Sequence, residues 1–165
     1  MISKDSYRIL VVSDTHGSSS LLRKCIALEE PFDMLIHCGD VEGQEEEIRR
    51  LAGCETHIVS GNNDYFTSLP REEEFSIGKY RAFLTHGHSY GVSLGLDRIV
   101  EEAKERGADT VIFGHIHRPV DKKRDGVRIL NPGSLTYPRQ EGRRPSYAAL
   151  YVYSDGEAIA EIKYL

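Results

Sequence analysis

At 165 residues, with 28% charged side chains and a formal net charge of −5, the chain is long enough to bury one sizeable core and has no general attraction to nucleic acid or an anionic membrane. The longest aliphatic run near its start, residues 9–12, is far too short to span a bilayer, and the polar residues 1–7 lack the apolar stretch of a signal peptide. Cys25, Cys38 and Cys54 are odd in number and widely spaced, which reads as reduced thiols of a cytoplasmic protein rather than a disulfide framework.

Taken in chain order, residues 9–12 form a buried-strand run and 21–28 space their apolar side chains as a helix does. Residues 34–37 read as a second strand, the acidic 45–51 as a solvated helix and 56–59 as a third strand. Strand-like pieces on either side of Gly78 suggest a hairpin over 75–84. Residues 94–106 are amphipathic, with Leu96, Ile99, Val100 and Ala103 on one face, and 110–113 is another buried strand. In the final third, Asp125-Gly126 and Asp155-Gly156 interrupt strand-like segments and signal two more hairpins. An Arg-rich polar loop, 138–145, lies between them. With no repeat and no linker, residues 1–165 are expected to form a single α/β domain.

Five short polar motifs punctuate this pattern: Asp14-Thr15-His16, Gly39-Asp40, Gly61-Asn62-Asn63-Asp64, Thr85-His86-Gly87-His88 and Gly114-His115-Ile116-His117. Asp14, Asp40, Asn62, His86 and His115 each follow a predicted strand. Carboxyl ends of strands in an α/β sheet converge on one edge, where ligands bind. Carboxylate, amide and imidazole donors without a cysteine in ligand spacing suit divalent metals other than a thiolate-held zinc. Spacing alone does not choose between Asn62 and Asn63. His115 and His117 alternate in a way that suits a turn, with Ile116 directed to the core. His37 and His57 fall outside the pattern and read as sheet or core histidines.

The motifs, in this order, resemble those of the calcineurin-like metallophosphoesterase superfamily, and in particular its small bacterial and archaeal phosphodiesterases. Asn131-Pro132-Gly133-Ser134 matches a further block of that branch and is expected near the active site. The resemblance implies a two-sheet β-sandwich flanked by helices, a four-layer αββα arrangement. It also implies two divalent metal ions, with manganese favoured and iron, nickel or zinc compatible. One metal would take Asp14, His16, Asp40 and His117; the other would take Asp40, Asn62, His86 and His115, with Asp40 as the bridge. The implied reaction is in-line attack of a metal-bridging hydroxide on a small phosphodiester.

Many superfamily members carry His after the ligand Asn, where this chain has Asn63. An amide donates a hydrogen bond but does not titrate, so leaving-group protonation falls to water or to His88. Arg118, Arg139, Arg143 and Arg144 are candidate phosphate contacts, Arg139 foremost, or else a solvated basic loop. A scaffold protein on the same fold and a nuclease acting on short oligonucleotides are the alternative readings. The acidic charge disfavours long nucleic acid, and a homo-oligomer is compatible with the sequence.

Overall fold

The computed structural model describes residues 6–165. The chain runs β1 (Tyr7–Val12), α1 (Ser20–Glu29), β2 (Met34–His37), α2 (Glu45–Ala52), β3 (Glu55–Ile58), β4 (Glu72–Ile77), β5 (Tyr80–Thr85), α3 (Asp97–Glu105), β6 (Thr110–Ile112), β7 (Pro119–Arg124), β8 (Val127–Pro132), β9 (Ser146–Val152) and β10 (Ala158–Tyr164). Two five-stranded sheets result, ordered β10-β9-β1-β2-β3 and β4-β5-β6-β8-β7. Strands β1, β2 and β3 are parallel in the first sheet, as are β5, β6 and β8 in the second. The antiparallel edges come from the three hairpins.

Side chains alternate across each strand, so a strand covered on both faces must be apolar throughout. Residues 9–12 of β1 show this directly. Ile9 and Val11 join Ile36, Leu84, Ile112, Leu130 and Leu150 between the sheets. Leu10 and Val12 face the other way, packing with Leu22, Cys25 and Ile48 under α1 and α2. On the opposite outer face, Phe83, Val111 and Ile129 pack with Ile99, Val100 and Ala103 of α3. The layers are therefore helix, sheet, sheet, helix, as the family resemblance implied.

Several local expectations shift. Helix α2 is not wholly solvated, because Ile48 is fully buried and Leu51 packs beside it. Helix α3 begins at Asp97 rather than near residue 94. Leu94 sits in a turn, bonded through its N–H to Gly91 O, and is exposed. Asn131 and Pro132 finish β8, and the chain turns at Gly133. Residues His88–Tyr90 make a single 3-10 turn that the sequence did not announce. His57 is the sheet histidine expected, stacked on Phe75 at 4.0 Å between ring centres and paired with Glu73 and Glu55. The three cysteines are free thiols. Among the described residues, no helix is long and apolar enough to cross a membrane.

Candidate metal centre

All five motifs lie just beyond strand carboxyl ends. Parallel pairing within each sheet brings these ends to one edge of the sandwich. The backbone turns sharply there. Asp14, His16, Asp40, His115 and His117 all have positive φ, between 47° and 71°. Non-glycine residues rarely adopt this conformation, and its cost is tolerated where function over-determines the geometry.

Two groups of donors overlap. In the first, Asp14 Oδ1 lies 3.2 Å from His117 Nε2 and 3.7 Å from His16 Nε2. In the second, Asp40 Oδ2 lies 3.3 Å from His86 Nε2, and Asp14 Oδ1 stands 3.9 Å from the same nitrogen. Within each group the donor atoms are all within 4.8 Å of one another. Asn62 Oδ1 adds to the second group, 3.0 Å from both His86 Nε2 and His115 Nδ1. The turn at residues 114–118 thus sends His117 to one group and His115 to the other. Ile116 packs against the α3-side core, as its alternation implied.

The donor chemistry fits metal ions. His86 Nδ1–H donates to Cys38 O at 2.7 Å, and His117 Nδ1–H donates to Tyr137 O at 3.0 Å. A carbonyl only accepts, so each Nε2 is left facing a carboxylate. Such bonds orient metal-bound imidazoles. Asp14 Oδ1 is buried and has no hydrogen-bond donor, an arrangement that costs free energy unless a cation fills it. Burial opposes ionisation of Asp14, but His117, His16, His86 and Ser13 outweigh it and hold the carboxyl well below its usual range. Asp40 is likewise lowered against its burial, by His86 and Asn63. Reciprocally, Asp14 raises His16 most, while Asp40 and Asp14 raise His86 despite its burial. The pocket calls for positive charge.

Residues with no obvious ligand role build the cradle. The Asp64 carboxylate accepts from the backbone N–H groups of Asp40, Val41, Glu42 and Gly61, at 2.7 to 2.9 Å. It locks two motif loops together. Asn131 Nδ2 donates to Gly114 O, while Ser134 and Thr136 hydroxyls donate to Asp14 O. The Asn-Pro-Gly-Ser block therefore shapes the site's backbone. His37 Nδ1 accepts from Gly39 N–H, which leaves its Nε2–H to donate to Thr15 Oγ1 at 2.9 Å.

His37 makes a testable contribution to stability. Burial pushes it down from 6.5 to about 4. Between those values the unfolded chain binds the extra proton and the folded one does not, so stability is complete above pH 6.5 and falls as pH drops toward 4. The loss should approach about 3 kcal/mol. Urea unfolding of chelator-treated protein at pH 7.5 and 5.0 should show it. His37→Asn should flatten the difference, and an equal pH dependence in both proteins would refute this role.

The remaining candidates fall on either side of the donors. Asn63 points inward, its N–H and Nδ2–H₂ donating to Asp40 Oδ1 and Oδ2 at 2.9 and 3.0 Å. A cavity of about 230 Å³ opens over the site and is lined by His16, Asp40, Asn62, Asn63, His115, His117, Tyr137 and Arg139. Arg139 thus reaches the pocket, its N–H bonded to His117 O. Arg144 does not. Its guanidinium ties down Leu165 O and Tyr164 O and lies near the Tyr164 ring, so this part of the basic loop holds the C-terminal strand. His88 sits with its ring 5.4 Å from that of His86 and 6.1 Å from that of His115. Burial and neighbouring His86 lower its pKa.

A sandwich of two mixed sheets that gathers two overlapping carboxylate–imidazole clusters at its strand ends defines a binuclear metal-dependent phosphoester hydrolase. The family model of the calcineurin-like phosphoesterase superfamily domain matches residues 7–155, and the chain belongs to that superfamily. It is 34% identical over 152 residues to the Bacillus subtilis probable metallophosphoesterase YsnB, covering 92% of this chain and 88% of that protein. It is 33% identical over 168 residues to the Escherichia coli K12 phosphodiesterase YfcE, covering 87% and 86%. Among solved structures, Entamoeba histolytica Vps29 complexed with zinc superposes with a TM-score of 0.74 at 22% identity, covering 95% and 98% of the two chains. That likeness concerns the fold.

Proposed function

We propose that this protein is a phosphodiesterase of the cytosol, acting as a single domain over residues 1–165 on small phosphodiesters. Two divalent cations, with manganese favoured among manganese, iron, nickel and zinc, would be held by Asp14, His16, Asp40 and His117 on one side. Asp40, Asn62, His86 and His115 would hold the other. When bound, such a pair supplies an activated water and neutralises charge on phosphoryl oxygens. The observation that carries the reading is the position of Asp40 Oδ2, 3.3 Å from His86 Nε2 and 3.8 Å from His16 Nε2. One carboxylate oxygen is in reach of an imidazole from each cluster, which is what a bridging ligand requires.

The chain's own groups then divide the work. Asn63 orients Asp40 through two hydrogen bonds and leaves no titratable proton in its place. His88, held below the usual imidazole range, is neutral near pH 7. It suits hydrogen bonding to substrate better than protonation of a leaving group. Arg139 lines the pocket and carries a planar fork that matches two phosphoryl oxygens. The intact donor set favours an enzyme over a scaffold, and the net charge of −5 favours small substrates over long nucleic acid.

The diesterase role of Arg139 is open to test with bis(p-nitrophenyl) phosphate. Arg139→Ala should raise KM on the order of tenfold and leave metal content unchanged. Arg139→Lys should recover only part of the loss. Unaltered kinetics in the alanine variant would return Arg139 to the solvated loop. Failure of the fully metal-loaded wild-type protein to cleave this or any other diester would overturn the proposed function.

A further inference from the structure

Beside the metal centre lies a second cavity, of about 440 Å³, whose lining includes Asn62, Tyr65, Phe66, Leu69, Arg71 and His88. Asn62 lines both spaces, so the larger one adjoins the metal donors. Its volume is within the range of small-ligand sites. Tyr65, Phe66, Leu69 and Arg71 have no part in the metal-site chemistry described above.

Its walls select a kind of occupant. Tyr65 is 75% exposed and Phe66 fully so. Phe66 also has a φ of 53°, a left-handed conformation unfavourable for an aromatic residue. No burial offsets that cost. The loop that carries both rings is anchored: Ser60 N–H bonds to Pro70 O at its base, and Asp64 N–H bonds to Gly61 O. The backbone that carries the rings is therefore anchored. The one carboxylate in the lining, Asp64, is occupied by four backbone N–H groups. The exposed Arg71 is drawn into no ion pair or hydrogen bond among the described residues. The surface is thus aromatic and carries an unneutralised cation.

We propose that this cavity receives a planar ring borne on one arm of the substrate phosphodiester, a nucleobase or aryl group stacked on Tyr65 and Phe66. It makes the enzyme selective for ring-bearing diesters over purely aliphatic ones. The proposal deepens the diesterase reading and rests on it for the phosphate's position. An aromatic face accepts any π-system, so the platform reads the presence of a ring and not its identity. Arg71 adds affinity for electron-rich rings and for a further acidic group on the same arm.

The test separates ring recognition from turnover. Binding of benzylphosphonate and of ethylphosphonate to the manganese-loaded, full-length protein would be measured by calorimetry. Both carry the same phosphonate, and only one carries a ring. Benzylphosphonate should bind on the order of tenfold more tightly. In a Tyr65→Ala, Phe66→Ala double variant that preference should vanish, with ethylphosphonate affinity and metal content unchanged. Both side chains are exposed, so the variant should fold. The same variant should raise KM for bis(p-nitrophenyl) phosphate. Equal affinities in the wild-type protein, or a preference that survives the double substitution, would overturn the proposal. A wild-type protein that keeps the preference but cleaves no diester would support the cavity and defeat the proposed function.

Discussion

Replacing Asp40 with alanine is expected to abolish occupancy of both metal positions and to lower hydrolysis by on the order of 10³-fold or more. Two dications held side by side repel each other, and the carboxylate between them is what allows the pair to form. The local structure compounds the effect. Asp40 Oδ2 faces His86 and His16, and both its oxygens accept from Asn63. Without the carboxylate, two Asn63 donors lose their acceptors and His86 loses the neighbour that raises it most. Elemental analysis of the purified variant provides the measurement. Retention of two metals per chain would show that Asp40 does not bridge. Asp14 would then be the alternative, because its free Oδ1 also lies between the clusters.

The second large effect is expected from a residue that bears no ligand atom. A Cβ at Gly61 would come within 2.1 Å of Asp40 Oδ1 and 2.6 Å of Asp40 N. The second contact is with backbone, which is fixed here because Asp64 holds the N–H groups of both Gly61 and Asp40. Gly61→Ala must therefore displace Asp40 or the loop of residues 61–64. A displacement of about 1 Å at a catalytic carboxylate costs on the order of 10²-fold in rate. The overpacking itself should cost about 1–3 kcal/mol of stability, leaving the protein folded. The expected result is a folded protein with weakened metal affinity and a rate reduced about 10²-fold. Wild-type kcat/KM at full metal occupancy would show that the site relaxes around the methyl group.

These two cases mark what the sequence makes legible and what it hides. The strands were legible because the runs 9–12, 34–36 and 111–113 are covered on both faces and so are continuously apolar. Each donor follows a strand end; parallel pairing aligns those ends within a sheet, and the packing of the two sheets face to face brings the two sets together. Other features depend on contacts between distant segments. The acid of the Gly61-Asn62-Asn63-Asp64 motif looks like a turn residue, yet Asp64 clamps a loop more than twenty positions away. In the sequence His37 is a sheet or core histidine, and only the fold reveals that it spans Thr15 and Gly39. Arg139 and Arg144 are equivalent as charges in one loop; the path of the loop sends one to the pocket and the other to the C-terminus. The ring-lined cavity was illegible because Tyr65 and Phe66 look like ordinary apolar residues until both are found outside the core.

The most direct test of the whole scheme is a metal titration of the chelator-stripped protein, following bound manganese and hydrolysis of bis(p-nitrophenyl) phosphate in the same samples. Two equivalents should bind per chain, with little turnover from chelated protein and full turnover only when the second equivalent is in place. Hydrolysis that persists undiminished after complete metal removal, or two tightly bound ions that support cleavage of no phosphate ester, would contradict it.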